Sequence, residues 1–181
     1  MKNLMSFKLL GWLLAGFLLV SHTALSQTVT LNLGADFTAA AASYTFPTGD
    51  MLYGNGTNLS SSGSNLCNGA TRRTQANSVI LRLVNTSMSK LEIPCQSSGG
   101  ARTLNQVEVA DALSGPWTPA GGTINPNLSG TSSVCATPVV SGLNIPTGKY
   151  VRLTFGGNVN FSSFVLTPAG ALLSATPTSI T

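Results

Sequence analysis

Apolar and polar residues alternate with a period of two along much of the chain, and this pattern predicts β-strands with one buried face. The clearest case is the stretch 149–155, in which Val151, Leu153 and Phe155 share the apolar phase. Shorter segments with the same alternation lie at 28–33, 79–84, 90–93 and 107–109. No segment shows convincing helical periodicity, and turn residues separate the short strands. The pattern therefore predicts an all-β protein, an antiparallel β-sandwich.

A β-hairpin is predicted at the end of this series, with Gly156-Gly157 as its tight turn. Glycine reaches the positive φ angles of such turns without steric cost, so this pair is expected to join two antiparallel arms. The second arm, 158–167, changes its apolar phase near Ser162-Ser163. That change predicts a β-bulge.

The first 26 residues have the order of a secretory signal peptide. Lys2 and Lys8 precede an apolar run at 9–20, and the small-residue site Ala24-Leu25-Ser26 follows it. An apolar core of ~12 residues is short for a membrane span, so an uncleaved anchor is the less favoured alternative. We therefore expect a signal peptide at 1–26, a secreted or cell-surface protein, and no membrane span once the signal is removed.

Removal of this segment changes the charge and the available chemistry. The chain has nine basic and five acidic residues, and two of the basic residues leave with the signal, so the mature net charge is +2 (seven minus five). This is too small for an electrostatic case for nucleic acid. The single histidine, His22, leaves as well. A Ser-His-Asp triad, a Cys-His pair and a histidine metal site are therefore excluded.

Three cysteines remain, Cys67, Cys95 and Cys135, at spacings that resemble no metal-binding knuckle. An oxidising destination favours one structural disulfide, with the third cysteine as a buried or intermolecular thiol. The sequence leaves the connectivity open.

The predicted domain occupies 27–168, and 169–181 has no charged residue. We interpret this tail as a linker or as the start of a truncated further module; a disordered tail is the alternative.

Two segments of the chain carry a family resemblance. Val107-Glu-Val-Ala-Asp-Ala-Leu-Ser-Gly-Pro-Trp-Thr-Pro119 and Ile145-Pro-Thr-Gly-Lys-Tyr-Val-Arg-Leu-Thr-Phe155 are similar, in this order, to the strand, turn and tryptophan segment and to the penultimate strand of discoidin-like (F5/8 type C) and related galactose-binding-like domains. The resemblance implies a jelly-roll sandwich of about eight strands in an exported bacterial surface protein. It also implies a non-catalytic module for glycans or cell-surface ligands, often attached to further domains of the same chain. The front half departs from the family pattern, because it lacks the usual early tryptophan.

Candidate ligand-binding residues follow from the needs of a neutral sugar, which are a flat apolar surface for its C–H face and planar polar groups for its hydroxyls. Side chains of these types in predicted loops are Tyr53, Asn68, Arg72, Arg73 and Trp117. For Trp117 the favoured alternative is that it covers the core after a turn. Tyr53 is balanced between the two roles, and the arginine pair is more often a solvated surface feature.

Two further arginines, Arg82 and Arg152, occupy the polar phase of predicted strands and are assigned to the surface. No cofactor is predicted. Asp36 and Asp50 are the acidic residues of the front half, and a structural calcium ion there would need backbone carbonyls to complete its ligands, so it is not indicated.

Three functions compete at this point. A secreted glycan- or polysaccharide-binding module is favoured, and a structural or adhesive spacer domain of a surface protein is second. A polysaccharide-degrading enzyme is third, because glycosidases need two carboxyl groups at a defined separation and the mature chain has five acidic residues in all. A lyase that uses arginine or lysine with tyrosine stays an open alternative.

Overall fold

The computed structural model describes residues 27–34, 36–37, 41–56, 59–62, 73–97, 102–125 and 135–170. These residues form fourteen strands in chain order. The first seven are β1 (Val29–Asn32), β2 (Ser43–Thr45), β3 (Met51–Gly54), β4 (Ser60–Ser62), β5 (Arg73–Arg82), β6 (Met88–Glu92) and β7 (Cys95–Ser97). The others are β8 (Leu104–Ala110), β9 (Thr118–Pro119), β10 (Thr123–Asn125), β11 (Cys135–Ala136), β12 (Val139–Ile145), β13 (Tyr150–Phe161) and β14 (Ser163–Thr167).

The strands form two antiparallel sheets, which confirms the predicted all-β sandwich. The smaller sheet has the order β1-β14-β6-β12-β10. The larger sheet has nine strands, with β13 and β5 at its centre. The strand number exceeds the expected eight because short segments such as β7 and β8 follow one another along the same side of β13. Among the described residues, none belongs to a helix long and apolar enough to cross a membrane.

The apolar phase of the strands builds the core between the sheets, as the alternation predicts. Val151 and Leu153 are fully buried, and so are Leu81 on β5 and Leu91 on β6. A chain of edge-to-face aromatic contacts adds to this core. Its ring centroids are separated by 5.4 Å (Phe37 to Tyr44), 5.2 Å (Tyr44 to Phe46) and 6.5 Å (Phe46 to Phe164). Such contacts stabilise beyond the area that they bury.

The predicted hairpin at Gly156-Gly157 is wrong. Both glycines lie inside the continuous strand β13, and neither adopts the left-handed backbone conformation that a primed turn needs. The register of β13 against β5 shifts between Thr154 and Val159, so the glycines belong to an irregularity in a central strand. A Cβ on Gly157 would overlap the side chain of Arg102, so glycine leaves room for that side chain.

The change of phase near Ser162 has a different cause from the predicted bulge. β13 ends at Phe161, and β14 begins at Ser163 in the other sheet, where it pairs with β1 and β6. The chain therefore crosses between sheets at Ser162. The two sheets face the core from opposite sides. When the chain crosses from one sheet to the other, the alternation of buried and exposed residues therefore changes phase.

Candidate binding face

Cross-strand register aligns polar-phase residues on the outer side of the larger sheet. Tyr53 on β3 pairs with Ile80 on β5, Ile80 pairs with Arg152 on β13, and Arg152 pairs with Glu108 on β8. Directly paired residues point to the same side of a sheet. These four positions therefore form one row across four strands, opposite the side that faces the core.

A second row lies beside the first, two residues along each strand. It joins Met51, Arg82, Tyr150 and Ala110 in direct register. Neighbouring strands lie ~4.8 Å apart, so four strands give a row about 14 Å wide. The two adjacent rows form one outward side of the sheet, in which Ile80 and Ala110 are buried by their neighbours.

Tyr150 is at the centre of the contacts on this surface. Its ring centroid lies 6.3 Å from that of Tyr53 at an interplanar angle of 48°. The guanidinium carbon of Arg82 lies 5.4 Å from the centroid of the Tyr150 ring, within the range of a cation–π contact. The Tyr53 hydroxyl donates to the Met51 sulfur at 3.2 Å. These contacts fix the two tyrosine rings side by side on rigid strands.

Trp117 reaches the same face from the turn that connects β8 to β9. Gly115 in this turn has a φ of +89°, and a Cβ there would lie 2.9 Å from the Trp117 ring, so glycine is needed. The guanidinium carbon of Arg152 lies 4.5 Å from the Trp117 ring centroid. Trp117 is half-buried and lies outside the buried core. The favoured sequence interpretation, a tryptophan covering the core, is therefore wrong.

We call this surface the arginine–aromatic face, defined by Tyr53, Arg82, Glu108, Trp117, Tyr150 and Arg152. Its two arginines differ in their electrostatic surroundings. Arg152 forms an ion pair with Glu108, at 2.7 Å from Nη2 to Oε2, and its Nε donates to the same oxygen at 2.8 Å. Arg82 makes no ion pair among the described side chains. The face therefore carries one uncompensated positive charge.

The structure brings together two of the five predicted ligand residues, Tyr53 and Trp117. Tyr53 lies on strand β3 and not in a loop as expected. Arg73 begins β5, whereas Asn68 and Arg72 lie outside the described residues. Any role of these five in ligand binding stays a prediction.

The sequence analysis missed Tyr150 and treated Arg82 and Arg152 as ordinary surface residues. Their outward direction is confirmed, and the polar phase of two strands was the available signal. That signal could not show that β5 and β13 are direct neighbours, or that their arginines lie beside aromatic rings.

The acidic residues of the front half are engaged as hydrogen-bond acceptors. Asp50 is fully buried, and its two carboxylate oxygens accept four hydrogen bonds from protein donors at 2.7 to 3.0 Å. Asp36 accepts a hydrogen bond from the Tyr44 hydroxyl at 3.0 Å. N–H and O–H donors around Asp50 are the opposite of the oxygen ligands that calcium requires. Within the described ranges, no three acidic, cysteine or histidine residues cluster as a metal site would need.

Cys95 on β7 is a free, fully buried thiol, as expected for the unpaired cysteine. Its burial raises its pKa to about 12, so it is protonated and unreactive near neutral pH. Cys67 and Cys135 are then the candidates for the one disulfide. Because Cys67 lies outside the described residues, that pair stays a prediction.

Comparison with known proteins adds no family assignment. No protein-family model matches the chain, and no curated protein matches it. The discoidin-like resemblance therefore stays a prediction, while the sandwich is established by the strands themselves.

Solved structures with related folds include a family 6 carbohydrate-binding module, with 14% identity, a TM-score of 0.43, and coverage of 78% of this chain and 94% of that one. The K2 cleaved adhesin domain of Lys-gingipain has 15% identity and a TM-score of 0.39 over 78% of this chain and 99% of that one. A family two carbohydrate esterase from Cellvibrio japonicus has 14% identity and a TM-score of 0.29 over 79% of this chain and 35% of that one. At these values we draw no functional conclusion from the likeness.

Proposed function

We propose that this protein is an exported, non-catalytic binding module that recognises a glycan through the arginine–aromatic face. The observation that carries the proposal is the position of Tyr53, Tyr150 and Trp117. These three rings lie outside the core, on the outer side of one sheet, next to two arginines. This departs from the loop site expected from the sequence, because the rings are held mainly by strands.

The chemistry of the face suits a sugar chain. Aromatic rings stack against the C–H surface of a pyranose, and guanidinium N–H groups donate to its hydroxyl oxygens. Tyr53 and Tyr150 project from β3 and β13, the two strands that pair with β5 on either side, and Arg152 is held by both Glu108 and the Trp117 ring. Groups that are already ordered lose little conformational entropy when a ligand binds, which favours affinity.

The state of the carboxyl groups supports a non-catalytic role. Glu92, Glu108 and Asp111 each form an ion pair with a lysine or arginine. Asp50 is buried and accepts hydrogen bonds from four donors, and Asp36 accepts a hydrogen bond from a tyrosine hydroxyl. Glycosidases need one carboxyl group as an acid and a second as a base or nucleophile on opposite sides of the bond. In this protein all five carboxylates already have protein partners.

The proposed export is based on the predicted signal peptide at 1–26. We also propose that the binding module is joined, after residue 168, to further domains of the same chain. The mature net charge of +2 (seven minus five) gives no reason to propose nucleic acid as a ligand.

A binding assay on a polysaccharide panel tests the proposal, using wild type, Tyr53→Ala, Tyr150→Ala and the control Val165→Ala. Val165 lies half-buried on β14 of the other sheet. We expect each tyrosine variant to bind the recognised polysaccharide about tenfold more weakly or worse, because hot-spot aromatic residues dominate such contacts. The control should bind as the wild type does.

Tyr53→Phe separates stacking from hydrogen bonding. It keeps the ring and removes the hydroxyl that donates to Met51, so binding should be close to that of the wild type if the ring is the contact. Thermal unfolding of every variant verifies that the fold is intact. Failure to bind any polysaccharide, or equal binding by all variants, would contradict the proposal and favour a spacer domain.

A further inference from the structure

We infer that the glycan carries carboxylate groups and that Arg82 is the residue that binds them. This inference rests on the proposed function, because the same face must first bind a sugar chain. It adds the chemical class of the ligand and assigns different roles to the two arginines of the face.

The two arginines occupy adjacent rows but have different partners. Arg152 is neutralised by Glu108 through two contacts of 2.7 and 2.8 Å to one carboxylate oxygen. That ion pair gives Arg152 a positioning role next to the Trp117 ring. Arg152 could bind an external anion only after its ion pair with Glu108 was broken.

Arg82 has no such partner in the described part of the chain. Its Nε is buried and makes no hydrogen bond there, while its guanidinium carbon lies 5.4 Å from the centre of the Tyr150 ring. The nearby cation Lys149, next to Tyr150 in sequence, is paired with Asp111. A buried donor without an acceptor is unfavourable in the free protein, and this penalty is removed if the guanidinium turns to meet an external anion.

A carboxylate fits this site better than a hydroxyl. The guanidinium is planar, always charged, and offers parallel N–H donors that match the two oxygens of a carboxylate. A uronic acid has its carboxylate at the edge of the sugar ring. Stacking of that ring on Tyr53 or Tyr150 therefore allows the carboxylate to reach Arg82, which pairs with Tyr150 and is the diagonal neighbour of Tyr53 in the sheet register.

Polygalacturonate and its methyl ester form a matched pair of probes, because they differ in the charge of the carboxyl group and share one backbone. We expect the full-length wild-type protein to bind the acid about tenfold to hundredfold more tightly than the ester, the range for a charge-assisted hydrogen bond in place of a neutral one. The preference should decrease as salt increases.

Arg82→Gln should remove the preference for the acid, and Arg82→Lys should keep part of it through its point charge. Lys90→Gln is the matched control, since it removes one positive charge from β6 of the other sheet. The control should retain the wild-type ratio of acid to ester binding. This ratio is a readout that a purely structural role of Arg82 would not change.

The outcomes separate this inference from the proposed function. If the acid and the ester bind equally, and Tyr150→Ala weakens both, the glycan-binding function stands and the inference is refuted. It is also refuted if Arg82→Gln keeps the wild-type ratio. A preference for dextran sulfate over dextran without one for polygalacturonate would overturn the carboxylate assignment. If no polysaccharide binds, the proposed function is refuted, and the inference that rests on it is refuted as well.

Discussion

Asp50 gives a sharp test of how this fold is held together, because its fully buried carboxylate accepts four hydrogen bonds from uncharged donors. Its Oδ1 accepts from the backbone N–H of Val84 at 2.7 Å and of Asn85 at 3.0 Å. Its Oδ2 accepts from the hydroxyls of Thr86 at 2.7 Å and Thr48 at 2.9 Å. Asp50 thereby joins the turn before β3 to the loop between β5 and β6, where the chain passes from one sheet to the other.

We expect Asp50→Ala to lower the free energy of unfolding by about 3–5 kcal/mol. Each buried donor that loses its acceptor costs roughly 1–3 kcal/mol, and water can reach some of the four because Thr48 and Asn85 are not buried. For a domain of this size the melting temperature would fall by about 10 °C. Asp50→Asn keeps one oxygen for the two backbone donors. It loses the charge and turns the other position into a donor, so about 1–2 kcal/mol is expected.

Urea unfolding followed by circular dichroism measures both values, with Asp36→Asn as the control. Asp36 is exposed and accepts one side-chain hydrogen bond, so its replacement should change stability by less than about 1 kcal/mol. The reasoning would be refuted if Asp50→Ala cost less than about 1 kcal/mol, or if the Asn and Ala variants were equally destabilised.

Two further predictions concern a thiol and a turn. Burial raises the pKa of Cys95 to about 12 from an ordinary value of 9.0, so the stability that the protonated thiol contributes is complete below pH 9 and is lost as the pH rises towards 12. In Cys95→Ala the free energy of unfolding should therefore decrease less between pH 9 and 10 than in the wild type. Above that range the buried Tyr44, whose pKa is raised from 10.0, adds to the loss. Gly122 has a φ of +80°, and a Cβ there would lie 2.6 Å from the Ser141 carbonyl oxygen, so Gly122→Ala should destabilise by more than about 2 kcal/mol in chemical denaturation. Gly121→Ala is its control, because it has a φ of +73° and nothing within 4 Å of the added Cβ; equal losses in the two variants would show that the contact with Ser141 is unimportant.

Gly156-Gly157 shows why the topology was not readable from local pattern. The pair is typical of a tight turn, yet it lies inside the longest strand of the larger sheet. On one side of β13, β5 pairs both before and after the glycines; on the other side, β8 pairs before them and β7 pairs after them. These tertiary partners, which are distant in sequence, keep the segment extended against its local preference for a turn.

The candidate face shows the same limit. The sequence indicated aromatic and arginine residues suited to sugars, and it found Tyr53 and Trp117. It placed Tyr53 in a loop and gave no role to Tyr150, whose ring lies next to both the Tyr53 ring and the Arg82 guanidinium. Which outward residues become neighbours depends on strand order, and strand order joins segments as distant in sequence as β1 and β14, in which Val29 pairs with Leu166.

The sequence by itself determined the all-β class, the side of each main strand that enters the core, and the outward direction of Arg82 and Arg152. Those properties follow from period-two alternation, because successive side chains of a strand point to opposite faces and the apolar ones avoid water. Only the tertiary structure decided that β13 crosses Gly156-Gly157 without turning and that Arg82 lacks the carboxylate partner that Arg152 has. Each of these depends on which strand lies alongside and in what register, and that pairing is settled by burial over the whole sandwich.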